Sequence, residues 1–350
     1  MSSCVCPLLS LLAPPRMAPR PSSLHAPQCP RHLHAPLTLW SSLAEPQFIS
    51  LGAQLSAVHQ ARCDADASRA AEACDAADRF HSWASKGLQW FLEAGMLNSS
   101  SLINDGLDTF GAHPDLCLNN RHSAYTYNQG VILSGLGYLY ASKLPPPQLS
   151  LTATSVDAAA RGMTHVHARR DVVAAVSGPA PTPAAADRDA LLRIAASIVE
   201  AVWRSNLTHA DSGGVLRDMN EPVLENGTLA DLYTGNPGND GLQFKSVLVR
   251  HLRYLINTVL RAHGGDETAA QRAVSAAGGN LTEWRARIAV NGRSIWAKAA
   301  CAPSTPMQPG KAVEVPPLFG YLWRGPCAWA FGGASATTQT AALDVFTAAS

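Results

Sequence analysis

From residue 49 onward the apolar residues of this 350-residue chain recur three and four positions apart, and no stretch alternates with a period of two for long. The first spacing gathers apolar side chains on one face of a helix, whereas the second would be needed for a half-buried strand. A chain written this way hides its apolar surface by packing helix on helix, so the expected fold class is all-α. The clearest instance is FKSVLVRHLRYLINTVL (244–260), in which Phe244, Val247, Leu248, Leu252, Leu255 and Val259 make one stripe. The same spacing predicts a helix through Ile49, Leu51, Leu55 and Val58. A second runs through Phe80, Trp83, Ala84, Leu88, Phe91 and Leu92 and stops near Gly95. Others are expected at 125–142, 189–202, 267–275, 281–300 and 336–348, about eight helices in all.

Two stretches lack this pattern. Residues 1–45 are rich in Pro, Ser, His and Arg, and residues 144–187 in Pro, Ala and Ser. Neither has enough apolar anchors to offset the entropy of ordering. They are expected to be a disordered leader segment and a low-complexity insertion within a domain spanning 46–350. Only 15% of residues are charged and the formal net charge is +1, which gives no electrostatic basis for binding nucleic acid or an anionic membrane surface. No apolar run approaches the ~20 residues of a membrane span. The eight cysteines make no CxxC pair and no Cys/His array of zinc-ligand spacing, so neither a metal nor a cofactor is expected. Four sequons, at Asn98, Asn206, Asn226 and Asn280, are compatible with secretion. VCPLLSLLA near the start is a short apolar run, broken by proline and with no basic residue before it. A secreted or cell-wall location and a monomeric state are the expectations.

Chemistry-bearing residues collect where loops meet helices. In YTYNQGVILSGLGYLY (125–140), Val131–Tyr140 read as a helix in which Gly135 and Gly137 leave room for a close neighbour. Ahead of it stand Tyr127, Asn128 and Gln129, closed off by Gly130. Flat rings stack on the C–H faces of sugars, and carboxamides meet paired hydroxyls, so this group suits a carbohydrate cleft. LINDGLD (102–108) adds Asn104, Asp105 and Asp108, and NDGLQFK (239–245) adds Asp240, Phe244 and Lys245. Each also has an ordinary reading: Asn128 as a helix cap, an Asn-Asp-Gly turn, and a capped helix followed by a solvated lysine. The candidate binding residues are Asp105, Tyr127, Asn128, Gln129, Asp240, Phe244 and Lys245, all expected at one end of the helical array. Helix pairs that place their polar loops on one side follow the plan of an α-toroid.

The order of these elements resembles glycoside hydrolase family 76, the endo-α-1,6-mannanases. The likeness rests on WASKGLQWFLEAGMLNSSSLINDGLD, YTYNQGVILSGLGYLY, LTHADSGGVLRDM and FKSVLVRHLRYL, followed by NGRSIWAKA, FGYLWRGP and TTQTAALDVF. It implies an (α/α)6 barrel of twelve helices acting on α-1,6-linked mannan with retention of configuration. Family members carry an Asp-Asp pair on a loop in the amino-terminal third, one aspartate attacking the anomeric carbon and the other serving as acid and base. Retention needs two carboxyls about 5 Å apart, but this chain contains no Asp-Asp dipeptide. Its first 45 residues also look nothing like the family's first helices. An incomplete toroid of about eight helices is therefore expected, with no catalytic residue assigned. Two functions are carried forward: a mannan-active hydrolase, and a non-catalytic glycan-binding or scaffold protein that keeps the cleft floor. Asp105, Asp108 and Asp240 are the carboxylates that could stand in for the pair.

Overall fold

Helix α3 (Thr126–Ala141) is buried along nearly its whole length, with only Tyr138 and Ala141 partly open to solvent. A helix that is apolar all round must be surrounded, and α3 is the centre of the fold. It packs on α1 (Ala44–Ala65), α4 (Pro183–Arg204) and α5 (Phe244–Ala262), and more lightly on α2 (Ala70–Glu93). The computed structural model describes residues 44–65, 68, 70–108, 118–120, 123–147, 149, 183–218, 221, 224–225, 228–229, 241–301, 318–325 and 335–350.

Three further helices follow: α6 (Glu267–Ala276), α7 (Leu281–Lys298) and α8 (Ala336–Ala349). Their starts are written in the sequence. The Asp266 carboxylate accepts the amides of Thr268 and Ala269, the Asn280 carboxamide accepts that of Glu283, and Ser335 and Thr338 close a reciprocal capping box. Helices α1, α3, α5 and α8 form a row of successive neighbours. Helix α2 packs on α1, α4 on α3 and α7 on α8, while α6 bridges α4, α5 and α7. The eight α-helices among the described residues confirm the all-α class.

The row is drawn tight where side chains are missing. A β-carbon on Gly130 would lie 2.5 Å from the Leu248 Cα, and one on Gly135 would lie 3.2 Å from the Ser50 Cα. Backbone therefore approaches backbone on both sides of α3. Between α1, α3 and α5 runs a buried polar chain: Ser50 and Ser134 hydroxyls lie 2.5 Å apart, and Ser134 Oγ is 2.8 Å from His251 Nδ1. A disulfide between Cys63 and Cys74 joins the end of α1 to the start of α2.

Strands among the described residues are four antiparallel two-residue hairpins at the loops. They pair β1 (Leu107–Asp108) with β2 (Leu118–Asn119), β3 (Thr208–His209) with β4 (Val215–Leu216), β5 (Leu224–Glu225) with β6 (Thr228–Leu229), and β7 (Ala300–Cys301) with β8 (Leu318–Phe319).

Several boundaries differ from expectation: α1 begins at Ala44, at the end of the stretch read as leader, and α2 begins at Ala70, ten residues ahead of Phe80. Helix α3 begins at Thr126, so Tyr127, Asn128 and Gln129 occupy its first turn rather than the loop ahead of it. Helix α4 begins at Pro183, inside the stretch read as insertion. Proline suits a first helical turn and three alanines follow it, so local propensity extends the helix beyond its apolar pattern. The expectations for residues 1–43 and 150–182 lie outside the described residues.

Candidate functional site

The close approach of Gly130 to Leu248 brings the first turns of α3 and α5 side by side. The aromatic residues of both turns meet there. Tyr127 and Phe244 have ring centroids 4.2 Å apart, Tyr125 stacks on Tyr127 at 5.9 Å and 14°, and Tyr125 meets Phe244 edge-on at 5.7 Å. Tyr125 and Phe244 are half-buried and Tyr127 is 8% exposed, so the cluster presents part of its surface to solvent.

Asp105 reaches this cluster from the turn after α2. Its Oδ1 accepts a hydrogen bond from the Tyr127 hydroxyl at 2.5 Å and another from Asn128 Nδ2 at 3.3 Å. Gln129 holds that turn in place. Its Oε1 accepts the Ile103 amide at 2.8 Å, while its Nε2 donates to the Ile103 carbonyl at 2.8 Å and the Tyr125 carbonyl at 2.9 Å. A buried carboxamide used this way pairs with backbone much as a neighbouring strand would. Asn98 Nδ2 and Asn119 Nδ2 both donate to Asn104 Oδ1, at 2.9 and 3.3 Å, and brace the other side of the turn.

Behind the rings lies a second cluster that is fully buried. Lys245, at the start of α5, has no exposed surface and forms a short ion pair with Glu221. Its ammonium also donates to the Tyr321 carbonyl at 2.8 Å and sits over the rings of Tyr321 and Trp323, at 4.3 and 4.9 Å from their centroids. Such contacts offset the desolvation of a buried ammonium. Asp218, three residues before Glu221, is 1% exposed and accepts from the Thr126 amide at 3.2 Å and the Thr126 hydroxyl at 2.5 Å. The residue at the N-cap position of α3, Tyr125, makes no side-chain cap bond. The α3 amino terminus is capped instead by a carboxylate 92 residues away in sequence.

The two carboxyls titrate in opposite directions. Burial pushes Asp218 up to about 6, against the downward pull of its Thr126 bonds and of Lys245. Burial also acts to raise Glu221, but the Lys245 ammonium and His209 outweigh it and hold Glu221 below its usual range. His209 Nε2 lies 3.6 Å from Glu221, and Arg324 reaches both His209 Nδ1, at 3.4 Å, and Asp211, at 2.7 Å. A chain of polar contacts thus leads from the exposed Arg324–Asp211 pair into the buried cluster.

Of the seven residues read from sequence, the structure brings six to the paired mouths of α3 and α5: Asp105, Tyr127, Asn128, Gln129, Phe244 and Lys245. Asp240 lies outside the described residues, and Asp108 is placed on β1. The solvated-lysine reading of Lys245 is overturned, because its whole side chain is buried. Asn128 does not cap α3 by its side chain, since it lies inside the first turn. Asp218 and Glu221 were missed. Their signal is Lys245 itself, which shares the helical spacing of the buried residues Leu248, Val249 and Leu252. A lysine on an apolar face needs a buried acid opposite it.

Among the described residues no group of three or more His, Cys, Asp or Glu could hold a metal ion, and no helix is long and apolar enough to cross a membrane. Among the described residues the site consists of aromatic rings, carboxamides and the partly open Asp105 carboxylate at the end of an all-α array. The family model for Glycosyl hydrolase family 76 matches residues 66–143, which hold most of α2, the Asp105 turn and all of α3. Over that stretch the chain is similar to glycoside hydrolase family 76. No curated relative and no solved structure matches it.

Proposed function

We propose that this protein binds α-1,6-linked mannose chains at the joined mouths of α3 and α5, and that the described residues form a recognition surface with little hydrolytic power of their own. The observation that carries the reading is the Tyr125–Tyr127–Phe244 cluster with Asp105 held against it. Rings of this kind take the apolar face of a pyranose, and the carboxylate beside them takes hydroxyls. The row α1–α3–α5–α8 with a second layer behind it supports an arc of an α/α toroid. The Asp105 turn would then open on the cleft side.

Hydrolysis with retention needs a second carboxyl about 5 Å from the first, with both open to the substrate. Asp218 and Glu221 do not meet that requirement, because they are 1% and 3% exposed and engaged by Thr126 and Lys245. They serve better as the frame that fixes the two helix mouths.

Affinity for soluble α-1,6-mannan, measured by calorimetry, tests the reading. Tyr127→Ala is expected to weaken binding about tenfold or more, since a stacked ring contributes on the order of 1 kcal/mol and Asp105 loses its anchor. Tyr127→Phe keeps the ring and should lose less. Equal binding by wild type and Tyr127→Ala would remove the basis for this site.

A further inference from the structure

Three of the four sequons lie among the described residues, and the fold treats them differently. Asn98 is half-buried: its Nδ2 donates to Asn104 Oδ1, and its Oδ1 accepts the amides of Ser100 and Leu102 at 2.8 and 3.1 Å. It is part of the turn that delivers Asp105. Asn206 is exposed, but Leu207 beside it has no exposed surface. Thr208 is buried, with its hydroxyl turned to the carbonyls of Trp203 and Ser205.

Asn280 differs from both. It and Thr282 are exposed, at the start of α7 and after the turn formed by Gly278 and Gly279. As N-cap it turns Oδ1 toward the helix, where that atom accepts the Glu283 amide at 3.1 Å. Nδ2, on the other side of the same trigonal carbon, takes no part in that cap bond. The helix needs the oxygen and a glycan needs the nitrogen, so one side chain can serve both. The Cys63–Cys74 disulfide adds a second, independent sign, because such bonds persist in the oxidising compartments where asparagine glycosylation takes place.

We propose that Asn280 carries an N-linked glycan and that Asn98 does not. The donor is a lipid-pyrophosphate-linked oligosaccharide. Asn280 Nδ2 bonds to the anomeric carbon, the bond from that carbon to the pyrophosphate oxygen breaks, the nitrogen gives up one proton, and the lipid pyrophosphate departs. The cap bond through Oδ1 survives the reaction. The glycan would also stand clear of the candidate site. Helix α7 touches the Tyr321–Trp323 segment through Ser294, whose hydroxyl donates to the Trp323 carbonyl at 2.8 Å. Asn280 lies some fourteen residues back along that helix, about 21 Å at the ~1.5 Å rise per residue.

The test is expression of the full chain in a eukaryotic host, enzymatic deglycosylation that converts a modified Asn to Asp, and peptide mass mapping. Asn280 is expected to be converted in most molecules and Asn98 in none. Asn280→Ser keeps a capping oxygen while removing the acceptor, and Thr282→Ala breaks the sequon without touching the cap. Both should lose the glycan and melt within about a degree of deglycosylated wild type. An unconverted Asn280, or conversion at Asn98 in the folded protein, overturns the proposal. Because the candidate mannan site plays no part in the assay, failure here and failure of the proposed function would be told apart.

Discussion

Lys245 shows how much of this site rests on single buried charges. Its ammonium is satisfied by Glu221, by one carbonyl and by two rings, all out of solvent. Removing one member of such a pair strands the other, which typically costs about 3–5 kcal/mol. Glu221→Gln is accordingly expected to lower stability by roughly that amount in urea unfolding, whereas Glu221→Gln combined with Lys245→Met should recover part of it. A Glu221→Gln protein as stable as wild type would mean the pair contributes nothing. Titration at two other buried groups runs in opposite senses. Asp218 has an ordinary value of 3.8 and a folded value of about 6, so its ionisation makes the fold less stable as pH rises between those values. Burial, with the Arg250 guanidinium adding, holds His251 at about 4 against an ordinary 6.5. The unfolded chain therefore takes up that proton first, and acidification from about 6.5 to 4 destabilises the fold through His251. His251→Gln cannot take up a proton. Its stability relative to wild type should improve by on the order of 1–3 kcal/mol between pH 7 and pH 4.5, read from denaturation curves at each pH. A difference that stays constant with pH would exclude this role for His251.

At the level of elements, the decisive fact is the contact between α3 and α5, and it depends on residues that have no side chain. At Gly130 a methyl group would strike the Leu248 backbone, 2.5 Å from Cα and 2.8 Å from N. At Gly137, two turns further on, the nearest atoms are Leu255 Cδ1 and the Leu255 Cα, at 3.2 and 3.3 Å. Alanine in a helix interior is ordinarily better than glycine by about 1 kcal/mol. Gly137→Ala meets contacts that a shift of a few tenths of an ångström relieves and should cost under about 1 kcal/mol, while Gly130→Ala should lose about 2 kcal/mol or more, because its β-carbon would overlap the Leu248 backbone. Thermal melts of the two variants give the comparison, and equal effects would show that the helices are not pinned at Gly130. Periodicity made all eight helices legible, and the small residues of α3 announced a close neighbour without naming it. What sequence could not give was the partner of each polar group. The Gln129 clamp on Ile103 and the Asp218 cap on Thr126 span 26 and 92 residues. No local rule connects groups so far apart, and Asn128 read as a plausible cap only because Asp218 was out of view.

Among the described residues, the row α1–α3–α5–α8 runs from α1 to α8, and these two helices carry most of the large exposed hydrophobic side chains. Of the six large hydrophobic residues exposed among the described residues, Phe48, Leu51 and Val58 lie on α1 and Leu343 lies on α8. An arc of a helical ring would show this pattern, since its terminal helices lack a neighbour on one side. In a ring the cleft is walled from all directions, and a retaining enzyme places its two carboxyls across the sugar from each other. Among the described residues of the site the partly open carboxylate is Asp105, which is bonded to Tyr127 and Asn128. A single carboxylate can bind and orient a mannose residue. It cannot both form a glycosyl bond and protonate the leaving oxygen, and losing one of two such roles usually costs on the order of a thousandfold or more in rate. Binding groups that hold substrate and transition state equally do not restore that rate. The chain is therefore expected to retain α-1,6-mannan on an affinity column while releasing new reducing ends no faster than a Tyr127→Ala, Asp105→Asn control. Reducing-end release that is fast in wild type and abolished by Asp105→Asn alone would refute this. It would make Asp105 a catalytic residue and direct the search for its partner to the neighbouring loops, Asp240 first.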